Sequence, residues 1–156
     1  MLFSLMHIIH IVAVIIWIGG LAFVTMIIFP IILKTQDPLQ KVLLFQKVEH
    51  RFARMARVYN LLVGISGFTM LFMMGWHRAL LTRAGLPLLF MLLVWVFWAV
   101  MLFGLEPLVV RKTIENMAKE KERLDIDGIF RRMNRLHWIL LTLSLAVVMA
   151  GSIFAH

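Results

Sequence analysis

Six histidines and no cysteine make up the chain's inventory for metal chemistry. His7 and His10 stand in "MHIIHIVAVIIWIGG" (6–20), inside a run that carries no Lys, Arg, Asp or Glu from residue 1 to residue 33. His77 closes "MLFMMGWH" (70–77), which also holds Met70, Met73 and Met74. Imidazole is an axial ligand of haem iron and suits copper, and thioether sulfur selects Cu(I). Without cysteine there are no thiolate sites, disulfides or thiol catalysis. Redox chemistry in this chain therefore needs a bound cofactor.

What positions these side chains follows from the solvent. The chain is 62% hydrophobic and 15% charged, with a mean hydropathy of +0.94. Soluble domains are about half apolar and about a quarter charged. Runs free of Asp, Glu, Lys and Arg cover 1–33, 58–76, 84–105 and 136–156, each near or above the roughly 20 residues that cross the hydrocarbon. The expected fold is all-α: one domain, an integral membrane four-helix transmembrane bundle with spans at about 5–33, 54–76, 85–108 and 130–155. The first span lacks a basic n-region and far exceeds the roughly 7–15 residues of a signal-peptide core, so it reads as a retained helix.

The net charge of +8 is a matter of placement. Segment 34–57 holds six basic residues, segment 106–135 holds eight, and the turn at 77–85 holds only Arg78 and Arg83. Basic loops stay cytoplasmic, which predicts an N-out, C-out topology in a bacterial or archaeal inner membrane. The charge sets orientation, with some affinity for anionic headgroups, and implies no nucleic-acid partner. A Walker loop, a dinucleotide fingerprint and an HExxH pair are all absent from the sequence. A single acidic residue near a bundle end, Glu106, does not make an ion pump.

In "TQDPLQKV" (35–42), Asp37 reads as an N-cap with Pro38 at the first helical position. The helix that follows carries an apolar stripe, Val42, Phe45, Val48, Phe52, Ala56 and Tyr59, opposite Gln40, Lys47, Arg51 and Arg54, as for a helix on a membrane or partner surface. Glu106 with Pro107 marks the inner end of the third helix, the charged stretch 111–125 extends it into water, and Asp125 or Asp127 caps the fourth.

With both termini outside, His7, His10, His77 and His156 share the outer side, and His50 and His137 lie inside. At 100° per residue, His77 shares a face with Tyr59, Val63, Ser66, Gly67, Met70, Met73 and Met74, a small and polar face that looks into the bundle. His10 aligns with Val14, Trp17, Leu21 and Thr25, and His137 with Asn134, Ser144, Val148, Gly151 and Ser152. His50 and His156 read as surface residues. The plainer readings are interfacial hydrogen bonding for His7, cross-helix hydrogen bonding for His137 and packing for the methionines. For His10 the functional reading leads, because ionisable groups inside a membrane are costly.

The preferred chemistry is b-type haem, with His10 and His77 as axial pair, His7 or Met70 as substitutes, and Arg78 on a propionate. A second haem near the inner side would use His137 with His50 turned inward. The alternative is copper, bound or transported by an outer cluster of Met70, Met73, Met74, His7, His10 and His77. In a third reading the chain is a structural subunit of a membrane complex or a homo-oligomer, and its histidines only pack.

"HIVAVIIWIGGL" (10–21) resembles the first helix of HemJ-type protoporphyrinogen oxidases and the related CopD copper-resistance domains: His, a six-residue gap, Trp, then a small pair before Leu. "RVYNLL" (57–62) and "FRRMN" (130–134) are similar to that group's Arg-x-Tyr-Asn and Phe-Arg-x-x-Asn. The resemblance implies a four-helix membrane bundle, haem b or copper handling, and His10 as the first-helix histidine. The chain departs from the HemJ-type pattern at Met26, Ile31 and "LPLLF" (86–90), where that pattern has Arg, His and His-x-Lys, so the residues that go with protoporphyrinogen oxidase activity are not matched. The expectation is a haem-b membrane protein that passes electrons between a quinol or redox-partner protein and an acceptor, or that supports haem metabolism.

Overall fold

Four long helices account for nearly all of the backbone in a computed structural model that describes residues 1–105 and 125–154. Helix α1 (Leu2–Lys34) is α-helical to Phe23, π-helical over Val24–Ile28 and α-helical again from Phe29. Helix α2 spans Pro38–Met73, α3 spans Leu86–Val100 and continues as a π-helical turn over Met101–Leu105, and α4 spans Ile126–Phe154. Each of the four carries a stretch long and apolar enough to cross a membrane. The expected four-helix membrane architecture is the one observed. Residues 111–124 of the charged stretch read over 111–125, together with Glu106, Pro107 and His156, lie outside the described residues.

The predicted start of α2 holds: Asp37 Oδ1 accepts from Leu39 N–H at 3.0 Å, and Pro38 is the first helical residue. At α4, Asp125 takes the cap, accepting from Gly128 N–H at 2.8 Å. Asp127 instead pairs with Lys41. The far end of α2 stops earlier than its face pattern suggested. Met74 closes the helix and Gly75 turns left-handed at φ 69°, a conformation that glycine adopts without a Cβ penalty. His77 therefore sits on the following 3₁₀ turn, Trp76–Arg78.

Packing divides the molecule into two layers. The first draws on all four helices: Ala13, Trp17 and Leu21 from α1, Ala56 and Val63 from α2, Val94, Trp98 and Leu102 from the third helix and its π turn, and Leu141 from α4. Around it, large apolar side chains such as Ile15, Ile65, Phe72, Leu93, Val100 and Met149 are exposed, as expected where the surroundings are lipid and only small residues let helices approach closely. Gly64 is one such approach: a Cβ there would lie 2.4 Å from Trp95 Cζ2. The Trp95 indole donates to Asn60 O at 3.0 Å, and Trp98 donates to Ser144 Oγ at 3.1 Å. Trp17 meets Trp98 edge to face, with centroids 5.5 Å apart, a contact worth about 1 kcal/mol beyond its area.

The second layer has three helices. Val24, Phe29, Ile32 and Phe130 form its centre, with Val42, Phe45, Val48, Phe52, Ile126 and Met133 packed around them. The apolar stripe read on the start of α2 is thus spent on the chain's own α1 and α4 rather than on a membrane or partner. Length explains the layer: the 33 residues of α1 reach about 50 Å, about 20 Å more than the hydrocarbon core. At its far end Lys41, 4% exposed, pairs with Asp127, whose side chain is 55% exposed.

Two outcomes test this packing. Gly64→Ala should lower the thermal unfolding midpoint in detergent by the equivalent of about 1–3 kcal/mol, the cost of overpacking, whereas Gly19→Ala, with nothing within 4 Å of its Cβ position, should be near neutral. Asp127→Asn, which strands a buried ammonium, should destabilise more than Lys41→Met, which removes the charge together with its need for a partner.

Candidate cofactor site

His10 lies eight residues, about 12 Å, along α1 from Leu2. Its ring is half-buried against α2, where Gly67 leaves room for it: a Cβ on Gly67 would be 3.2 Å from His10 Cε1. His10 Nδ1 lies 3.1 Å from Val63 O and 3.0 Å from Ser66 Oγ. A carbonyl oxygen only accepts, so Nδ1 carries the proton. Ser66 agrees with this assignment, because its own hydroxyl donates to the backbone carbonyls of Leu62 and Val63 and leaves its oxygen free to accept from His10. Nε2 is left with the lone pair. A backbone acceptor on Nδ1 with Nε2 free is the arrangement in which protein imidazoles ligate metals.

The other candidates are more dispersed. His7, one turn before His10, is exposed and stacks on Phe3 at 6.0 Å. His77 is exposed on its 3₁₀ turn with its ring 5.2 Å from Phe72, and Arg78 beside it is exposed as well. No hydrogen bond or ring contact joins His77 to His10 among the described residues. Gly67 and Met73 are six residues apart, so the turn bearing His77 begins at least about 9 Å along the axis from the His10 contact. Met70 is half-buried and lies one turn from Gly67 on the same face, while Met73 and Met74 are each 48% exposed.

At the opposite end, His137 is half-buried with Nδ1 3.0 Å from Met133 O, and its ring lies 4.5 Å from that of Phe29. It too keeps a proton on Nδ1 and a lone pair on Nε2. His50 is exposed, as read from its helix face, and its Nε2 lies 2.7 Å from an Arg54 guanidinium nitrogen. That contact occupies the lone pair His50 would need as a partner ligand for His137.

Asn60 is the polar residue whose position carries most and to which the sequence assigned no role. It is 0% exposed, and among the described residues neither its Oδ1 nor its Nδ2 has a hydrogen-bond partner. Asn134 Oδ1 is likewise unpartnered. The available signal was an amide inside an apolar run, flanked at helical spacing by Ala56, Val63 and Gly64. Near it, Arg57 Nε donates to Leu102 O at 2.9 Å in the π turn of Met101–Leu105, where a wider helical repeat leaves carbonyls without their usual α-helical partners.

Coordination chemistry then separates the candidates. Among the described residues no three His, Cys, Asp or Glu side chains converge to hold a metal ion. A bare ion here needs thioether donors beside imidazole. A porphyrin supplies four nitrogens of its own and asks the protein for one or two axial ligands. His10 fits that requirement as one oriented axial donor.

Asn60→Leu, which replaces an unpaired amide by an apolar side chain of similar size, should raise the stability of the detergent-solubilised chain by about 1–3 kcal/mol in a denaturation series. A loss of stability instead means that Asn60 has a partner in the assembled protein. The chain matches no protein-family model, no curated protein and no solved structure.

Proposed function

We propose that this chain is a haem-b-binding membrane protein in which His10 Nε2 is an axial ligand, and that it carries electrons between a quinol or redox-partner protein and an acceptor. The observation that supports the reading is the proton held on His10 Nδ1 by Val63 O, which leaves the lone pair of Nε2 for iron. Met70, by its register next to Gly67 on α2, would be the second donor, with His77 on the outer turn or His7 on α1 as substitutes. Arg78 is the propionate partner on that side. When bound, haem b supplies one-electron chemistry. The protein's part is to hold the imidazole proton on Nδ1, orient the ring against Gly67 and exclude water with the apolar first layer. A second haem at the basic end would need a partner for His137, and His50, held against Arg54, does not offer one, so the reading is of a single haem at the His10 end. The basic residues of 34–57 orient that end toward the cytoplasm, in a bacterial or archaeal inner membrane.

Copper is the second reading. It is favoured by the exposure of Met73 and Met74 beside His77 at the chain's outer turn, where soft donors are accessible to Cu(I).

Purified protein from haem-replete cells should show a reduced b-type spectrum and stoichiometric pyridine haemochrome, both lost in His10→Ala. Ser66→Ala should keep the haem but weaken its retention about 10–100-fold, the usual cost of losing a ligand's orienting partner. A colourless protein carrying copper, lost when Met70, Met73 and Met74 become Leu, establishes the copper reading instead. No metal in any sample leaves the chain as a structural subunit.

A further inference from the structure

We infer that the basic end of the bundle binds an anionic phospholipid at two shallow, open faces, one on α2 and one on α4. The first, a shallow face of about 340 Å³, is lined by Arg51, Arg54, Met55, Val58 and Tyr59. The second, about 490 Å³, is lined by Arg135, Trp138, Ile139, Thr142, Leu143 and Ala146. Neither lining contains Asp or Glu.

Depth argues for a lipid rather than a soluble anion. Met55 Cε lies 3.4 Å from the Cβ position of Gly20 on α1, and Gly20 is 18 residues, about 27 Å, from Leu2. That distance is close to the full hydrocarbon thickness of about 30 Å, so Arg51 and Arg54, further toward the basic end, sit at headgroup level. On α4, Ser144 meets Trp98, and Arg135 lies nine residues, about 13 Å, beyond it toward the same end. Both faces therefore read in the same order from headgroup to acyl chain. A guanidinium comes first, an aromatic with a polar tip lies further in, five residues past Arg54 (Tyr59) and three past Arg135 (Trp138), and apolar side chains line the part within the bilayer. Guanidinium pairs with phosphodiester oxygens through parallel hydrogen bonds, and Tyr and Trp favour the interface. The surplus of positive charge selects a net-negative headgroup over a zwitterionic one, whose own cation the arginines repel.

Native mass spectrometry of the detergent-solubilised full chain tests this, with phosphatidylglycerol, phosphatidylcholine and inorganic phosphate as probes. The wild type should retain two phosphatidylglycerol molecules at least tenfold more tightly than phosphatidylcholine. Each arginine removed should weaken retention roughly fivefold, the effect of one cation at an anionic surface. Arg51→Gln with Arg54→Gln should thus release one lipid, and Arg135→Gln should weaken the other. Lys47→Gln, which removes the same charge from an exposed position off both faces, should leave both in place. Equal retention of the two lipids, retention unchanged in the arginine variants, or a loss as large in Lys47→Gln would each overturn the proposal. So would inorganic phosphate displacing the lipid, or a dimer forming in place of lipid adducts. All three arginines are exposed, so folding does not depend on them, and the result is independent of whether His10 holds haem.

Discussion

Hydrocarbon offers no hydrogen-bond partner, and every polar group inside this bundle has to find one in the protein. That constraint decides how the helices meet. Trp95 is tied to the backbone of Asn60, Trp98 to Ser144, and His10 to Val63 and Ser66, so that α3 is held against α2 and α4, and α1 against α2. Thr25, fully buried in the π-helical part of α1, donates to Leu21 O at 2.7 Å, and Arg57 meets the carbonyl of Leu102 in the other π turn. In the π turn of α3 the Leu102 carbonyl is thus satisfied by a side chain, and in that of α1 the Thr25 hydroxyl is satisfied by a carbonyl of the preceding turn.

The packing changes along the bundle. Toward the basic end, Phe29, Ile32, Phe45 and Phe130 are packed together by aromatic and aliphatic burial rather than by polar ties. The layers also differ in what lies outside. Large apolar side chains cover the first, whereas around the second exposed Met26, Ile27, Ile31, Leu39 and Leu43 stand together with exposed Lys47, Arg51, Arg54, Arg131 and Arg135. Lys41 belongs to neither pattern. Burial to 4% exposure makes its ammonium dependent on Asp127, and the pair joins the start of α2 to the start of α4.

For function, the hydrogen bond that satisfies His10 in an apolar surrounding is also the one that leaves Nε2 as a ligand. A structural requirement and a chemical one are met by the same two acceptors on α2. Asn60 and Asn134 depart from the rule of matched interior polar groups among the described residues: both ends of the Asn60 amide, and Oδ1 of Asn134, are buried without a partner. An unmatched buried amide costs stability, and native structures contain few of them.

Residue types and their order alone determined the membrane solvent, the four spans, the cap at Asp37, the exposure of His50 and the interior face of α2 around Val63, Ser66 and Gly67. Each follows from local chemistry or from a helical period, and neither depends on what packs against it. Tertiary structure decided the rest. The left-handed Gly75 took His77 off the helix face that period had given it, and Lys41 was buried by the partner it found on α4. The apolar stripe of α2 was covered by α1 and α4, because apolar surface closes on the nearest equivalent surface. The proton position on His10 depends on a carbonyl 53 residues away, a contact that no local pattern specifies.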